Sequence, residues 1–122
     1  MSHTASFVSA TPVLASLDIK RSVDFFVLKL GFAAIYAEQG QYGIVSNGPI
    51  SIHFWACTDP EIPKATGCRI QVRDIANLYT HCSALGIVHP NAPLQTKPWG
   101  NHEFAIVDLD GNLITFYEPV SA

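Results

Sequence analysis

Charge is scarce in this sequence. Seven Lys and Arg and ten Asp and Glu make up 14% of 122 residues, against ~25% in an average soluble domain. The net charge is −3, and no basic cluster marks a face for nucleic acid. The 48% hydrophobic content excludes a chain that stays disordered until it binds. No apolar run approaches the ~20 residues that span a bilayer, so no membrane partner is expected. The N-terminal stretch 1–12 lacks a basic segment followed by an apolar one, and no signal peptide is read there. Cysteine is also scarce. Cys57, Cys68 and Cys82 are odd in number and form no C-x-x-C, so neither a disulfide framework nor a zinc knuckle is indicated. They read as buried thiols of a protein in the reducing cytoplasm. No G-x-S-x-G, G-x-x-x-x-G-K-[ST] or G-x-G-x-x-G motif occurs, which removes the commonest nucleophile and phosphate signatures. Low surface charge also points to a second chain covering part of the surface, because a domain this small buries only about two-thirds of what its unfolded chain exposes.

What is present is a repeat. After Asp18, Ile19, Val23, Phe26 and Leu30 recur at helical spacing; after Asp74 come Ile75, Leu78, Tyr79, Cys82 and Leu85. Each run opens on an aspartate able to cap free N–H groups and closes on a glycine, Gly31 or Gly86. Ile50–Trp55 and Asn112–Tyr117 alternate like half-buried strands. Asn47-Gly48 and Asp110-Gly111 precede them as hairpin signals, with Tyr42–Val45 and Phe104–Val107 as partner strands. Leu17-Asp18-Ile19 recurs as Arg73-Asp74-Ile75, and Leu30-Gly31-Phe32 as Leu85-Gly86-Ile87. The expected fold is α+β, one domain over 1–122 made of two tandem β-α-β-β-β modules. Module one covers about 9–57, a Pro-containing linker 58–66, and module two about 67–119. Each sheet has one helix-covered face, and the open faces can form a cleft.

The segments S-L-D-I-K-R-S-V-D-F-F, from Ser16, and D-L-D-G-N-L-I-T-F-Y-E, ending at Glu118, make the chain resemble the vicinal-oxygen-chelate superfamily of glyoxalases, extradiol dioxygenases and drug-resistance proteins. T-P-V-L-A-S-L-D-I at Thr11–Ile19 and K-P-W-G-N-H-E-F at Lys97–Phe104 resemble its bleomycin-resistance branch. Superfamily enzymes hold a divalent metal with His and Glu from both modules. The resemblance puts the matching positions at Thr11, His53, Gly67 and Thr115. A glycine, two threonines and one histidine do not make a catalytic ligand set, so no metal and no cofactor are expected. A displaced set of His53, His102 and Glu103 is the rival reading, which would make the protein a metal-dependent lyase, isomerase or dioxygenase. His102 and Glu103 are neighbours on a strand and point to opposite faces, so they are a poor acid–base pair.

Period-two geometry places Ser51, His53 and Trp55 on the open face of module one. It places Gly67, Arg69 and Gln71, with Leu113, Thr115 and Tyr117, on that of module two. The resemblance implies that Trp99 stacks on the flat bithiazole of the drug, with Tyr36 or Tyr42 as further stacking aromatics. Trp55 and Tyr117 read as structural, as do Asp108 and Asp110, which turn chemistry explains. His3, His81 and His89 share no visible role. Arg69 in the cleft would repel a cation and favour a carboxylate or phosphate. Pro12 reads as lying within the first strand, at its edge. In the resembling family the segment before such a proline crosses to a partner, and Phe7-Val8 would make that contact in an arm-exchanged homodimer. The functional expectation is sequestration of a bleomycin-like flat ligand without modifying it, through Trp99, Tyr42, Tyr36, His53, Arg69, Gln71 and Thr115. A binder of another small anionic or aromatic molecule is the neighbouring possibility.

Overall fold

The computed structural model describes residues 4–121, which leaves His3 outside the described residues. Two β-α-β-β-β units follow one another. The first runs β1 (Val13–Ser16), α1 (Ile19–Leu30), β2 (Ala33–Glu38), β3 (Tyr42–Asn47) and β4 (Ile50–Ala56). The second runs β5 (Gly67–Gln71), α2 (Ile75–Ala84), β6 (Gln95–Thr96), β7 (Asn101–Val107) and β8 (Leu113–Pro119). Each folds into a four-stranded sheet of the same order, β1-β4-β3-β2 and β5-β8-β7-β6. In each, the first and last strands pair in parallel and the other pairs are antiparallel. The repeat in sequence is therefore a repeat in topology.

Helix α1 forms as its pattern predicts. The Asp18 side chain accepts from the Arg21 N–H at 3.1 Å, and Gly31 closes the helix in the left-handed conformation, φ 74°. Its buried face, Ile19, Val23, Phe25 and Phe26, packs on β3 at Gly43. A Cβ on Gly43 would stand 3.0 Å from a methyl of Ile19 and one of Val23, so only glycine lets the helix approach this closely. Phe26 meets Phe32 and Phe54 edge-on at 5.3 and 5.4 Å, a geometry that adds to plain area burial.

Helix α2 departs from expectation at its start. Asp74 itself adopts a left-handed conformation, φ 57°, and its side chain caps nothing. The cap comes from 44 residues away, where the two oxygens of Glu118 accept from the Asp74 and Ile75 N–H groups, each at 3.1 Å. A carboxylate at a helix N-terminus is favoured whichever part of the chain supplies it.

The Asp108–Asn112 turn joins the modules. Asp108 Oδ1 accepts from the N–H groups of Asp110, Gly111 and Asn112 at 2.9–3.0 Å, as turn chemistry predicts. Asp110 does more than turn the chain: its carboxylate takes the Leu17 N–H and the Ser22 hydroxyl of module one, each at 3.2 Å. Asn112, fully buried, donates to the Ala15 carbonyl at 2.8 Å and accepts from Thr66 Oγ1 at 2.6 Å. The segment between the modules ends in a 3-10 turn, Pro63–Ala65, with Pro63 buried. Pro12 precedes β1 and is not part of it, although its carbonyl accepts from the His53 N–H at 3.0 Å. Cys57 and Cys82 are buried and Cys68 half-buried, all as free thiols. Burial pushes the Cys68 and Cys82 thiols up to about 11.

Asn112→Ala removes both inter-segment bonds and strands the buried Ala15 carbonyl. It is expected to destabilise the protein by about 2–3 kcal/mol, read as a lower urea midpoint with an unchanged circular dichroism spectrum below the transition.

Candidate ligand-binding cleft

Alternation along the strands sorts the side chains as expected. Ile52 and Phe54 of β4 are buried under α1, while His53 is half-buried and Trp55 is 39% exposed on the opposite face. On β8, Ile114 and Phe116 are buried and Leu113, Thr115 and Tyr117 face outward. On β5, Ile70 enters the core and Gly67, Arg69 and Gln71 stand on the open face. Register places Gly67 beside Leu113, Arg69 beside Thr115 and Gln71 beside Tyr117.

The open face of module two carries a linked set. Glu103, on β7, is 4% exposed. Arg69 grips it from β5 with two nitrogens, Nη1 to Oε1 at 3.2 Å and Nη2 to Oε2 at 2.8 Å. Trp99 Nε1 donates to Oε2 at 2.7 Å and Asn101 Nδ2 to the same oxygen at 3.2 Å. The Arg69 guanidinium also lies 4.8 Å from the centre of the Tyr117 ring, within cation–π range. The Arg69 hydrogen bonds, followed by those from Trp99 and Asn101, outweigh the desolvation that opposes them and bring the Glu103 carboxyl down to about 2. Arg69 is raised by the same contact. Arg69 is therefore not the unpaired cation the sequence suggested; its charge is met by a carboxylate.

Trp99 remains 64% exposed while its N–H is held. Its ring borders a pocket of about 260 Å³ lined also by Arg69, Lys97, Glu103, Leu113 and Thr115. An adjoining hollow of about 430 Å³ runs along Lys64, Gly67, Arg69 and Thr115. Of the predicted residues, Arg69, Trp99 and Thr115 thus come together, with Gln71 on the same strand face. Tyr36, Tyr42 and His53 sit on the other sheet. There the Tyr42 hydroxyl and His53 Nδ1 are 2.8 Å apart with their rings edge-on, and the Tyr36 hydroxyl donates to Glu38. Tyr36, 45% exposed, lies on edge strand β2, which is exposed along its length.

The family's metal positions do not fit a metal. A Cβ on Gly67 would overlap the Leu113 carbonyl oxygen, so the parallel β5–β8 pair leaves no room for any side chain there, let alone a ligand. The displaced set is not assembled either. His102 turns away from Glu103 and bonds Thr96 Oγ1 at 2.8 Å, His53 lies on the other sheet, and the Glu103 carboxylate is engaged by Arg69, Trp99 and Asn101. Among the described residues, no group of three or more His, Cys, Asp or Glu is placed to hold a metal ion.

Sequence reasoning missed Glu103 as a cleft residue. The signal was available: β7 alternates, and Phe104 and Ile106 on the core side put Glu103 on the open one. The depressed carboxyl makes a pH prediction. A group lowered on folding contributes stability that is complete above its unfolded value, 4.5, and is lost as the pH falls toward about 2. Burial raises Asp108, which acts in the opposite sense. Comparing wild type with Glu103→Gln isolates the Glu103 contribution. Between pH 4.5 and pH 2, thermal midpoints of the variant are expected to fall less steeply than those of wild type.

The model of the glyoxalase/bleomycin resistance protein/dioxygenase superfamily matches residues 2–116. A bleomycin resistance protein of Geobacillus stearothermophilus is 33% identical, the match covering 94% of this chain and 99% of the relative; one of Staphylococcus aureus matches equally. Among solved structures, a bleomycin-binding protein of Streptomyces verticillus complexed with copper(II)-bleomycin superposes with a TM-score of 0.82 at 26% identity, covering 98% of this chain and all of the other. A second bleomycin-binding protein, complexed with bleomycin, gives 0.75 at the same identity over 92% and 98%. Two modules of one topology, an open face carrying Trp99, and a match across nearly the whole chain place this protein in the glyoxalase/bleomycin resistance protein/dioxygenase superfamily.

Proposed function

We propose that this protein binds a bleomycin-like flat ligand and sequesters it without modifying it, so conferring tolerance to the drug by occupancy alone. The observation that carries the reading is Trp99: a large ring, 64% exposed, with its N–H anchored to Glu103 and its face open beside a pocket. The relatives named above supply the ligand. The linked side chains of the cleft have no free nucleophile and no acid–base pair, and a trap needs neither. A nanomolar trap needs about 12 kcal/mol of binding free energy, which stacking, apolar burial and a few hydrogen bonds can provide.

The working unit in this proposal is an arm-exchanged homodimer in the cytoplasm. Phe7 and Val8 are 96% and 91% exposed on the N-terminal arm. Val13, Trp55 and Leu113 are 49%, 39% and 41% exposed. Exposed apolar side chains of this kind favour a partner, and a second copy offers the same ones in return. In the dimer, the aromatic face of module one, with Tyr36, Tyr42 and His53, would oppose the Trp99 face of a second chain and complete the ligand site.

Bleomycin titrated into the protein is expected to quench tryptophan fluorescence saturably. Quenching should persist in Trp55→Phe and disappear in Trp99→Ala, whose affinity should fall by roughly 10- to 100-fold, the worth of a stacked aromatic and its buried area. A flat titration of wild-type protein would remove bleomycin as the ligand. Sedimentation equilibrium at micromolar concentration should give twice the 13.3 kDa chain mass; a single-chain mass would remove the dimer.

A further inference from the structure

We propose that Glu103 is the positioning residue of the cleft: its carboxylate fixes the plane of the Trp99 ring and cancels the charge of Arg69, so that the stacking surface can take a flat cationic ligand. The inference rests on the ligand-binding reading above and deepens it by assigning a role to a side chain behind the stacking surface. Its basis is the geometry of one side chain. Glu103 has a side chain 5% exposed and receives donors from three places in the chain: Arg69 on β5, Trp99 in the loop before β7, and Asn101 at the start of β7.

Trp99 belongs to a loop, where an indole standing 64% clear of the protein has little packing to choose its orientation. The 2.7 Å bond from its Nε1 to Glu103 supplies that choice. An aromatic held in its bound orientation loses less freedom when a ligand stacks on it, which raises affinity without adding a contact. Arg69 is the second half of the argument. Its side chain is 50% exposed and borders the same pocket as Trp99 and Lys97, with the Lys97 ammonium 5.9 Å from the Trp99 ring centre. Two cations beside a stacking face would repel a cationic ligand. The bidentate Arg69–Glu103 pair cancels one of them at the closest range available, and such fork geometry is the strong form of the pair. Glu103 is nearly closed to solvent and its carboxylate already takes four hydrogen bonds, so its main action on the ligand runs through Trp99 and Arg69.

The test begins without ligand, in a Trp55→Phe background that leaves Trp99 as the reporter. Glu103→Gln keeps an acceptor for the indole but leaves Arg69 unpaired. At low ionic strength, quenching of Trp99 by iodide is expected to rise about twofold and quenching by caesium to fall. Acrylamide quenching should stay unchanged, and salt should erase both effects because it screens exposed charge. The double variant Arg69→Gln/Glu103→Gln should return iodide quenching to the starting level. Glu103→Ala should move the Trp99 indole N–H resonance upfield while the dispersion of the backbone amides persists. Bleomycin affinity should then fall more than tenfold in Glu103→Gln at low salt and recover in part at high salt. Iodide quenching unaltered by Glu103→Gln, or an indole resonance unmoved by Glu103→Ala, would overturn the proposal. Quencher and resonance effects as expected, with no binding of bleomycin by wild type, would overturn the ligand reading while sustaining the positioning role.

Discussion

Asn112 sits in the centre of this molecule with no exposed surface, and it can be buried only because its amide is satisfied from both modules. Its nitrogen holds Ala15 on the strand that opens module one; its oxygen takes the hydroxyl of Thr66 at the end of the connecting segment. Asp108 holds the turn that presents it, and Asp110 in the same turn reaches Leu17 and Ser22. An unfilled polar group in that position would be costly, so these hydrogen bonds set how the two sheets meet, alongside the core they share.

That joint frees the open faces from holding the fold together. Each module buries its helix-facing side in one shared core, from Phe26 and Phe54 in the first to Phe104 and Phe116 in the second. The other side is left for polar and aromatic groups that would be wasted in a core. In module two these groups converge on Glu103, a carboxylate taken almost wholly out of water and compensated by a guanidinium, an indole and an amide. Desolvated ion pairs are weak sources of stability, and in this one only the carboxylate is buried, the Arg69 side chain being 50% exposed. Here the same carboxylate also holds the N–H of an exposed tryptophan.

The superfamily's enzymes and binders share this scaffold, and the present chain shows physically why its metal positions cannot be refilled by a simple exchange. At Gly67 the close parallel pairing with β8 excludes even a Cβ. His53, whose Nδ1 bonds the Tyr42 hydroxyl, is a single imidazole beside a glycine and two threonines, which is not a ligand set. The same strands that carry metal ligands in an enzyme carry, in this chain, a flat surface with paired charge.

Much of this was legible in the sequence because it is local. The 3.6-residue periodicity after Asp18 and Asp74, the alternation of Ile50–Trp55 and Asn112–Tyr117, and the recurrence of Leu-Gly and Asp-Gly signals determined the elements, the repeat and which residues share a face. Strands β2 and β6 left no such trace: β2 is exposed on both sides and β6 is two residues long, so neither imposes alternation. Tertiary structure alone decided the pairings made across long stretches of chain. It gave the cap of α2 to Glu118 and not to Asp74, turned Asp110 from a hairpin residue into a bridge between modules, and matched Arg69 with Glu103, 34 residues away. A sequence records that a carboxylate and a guanidinium exist and which face each occupies. Whether they meet depends on strand order and register, because a hydrogen bond needs contact within about 3 Å and no local pattern specifies that distance.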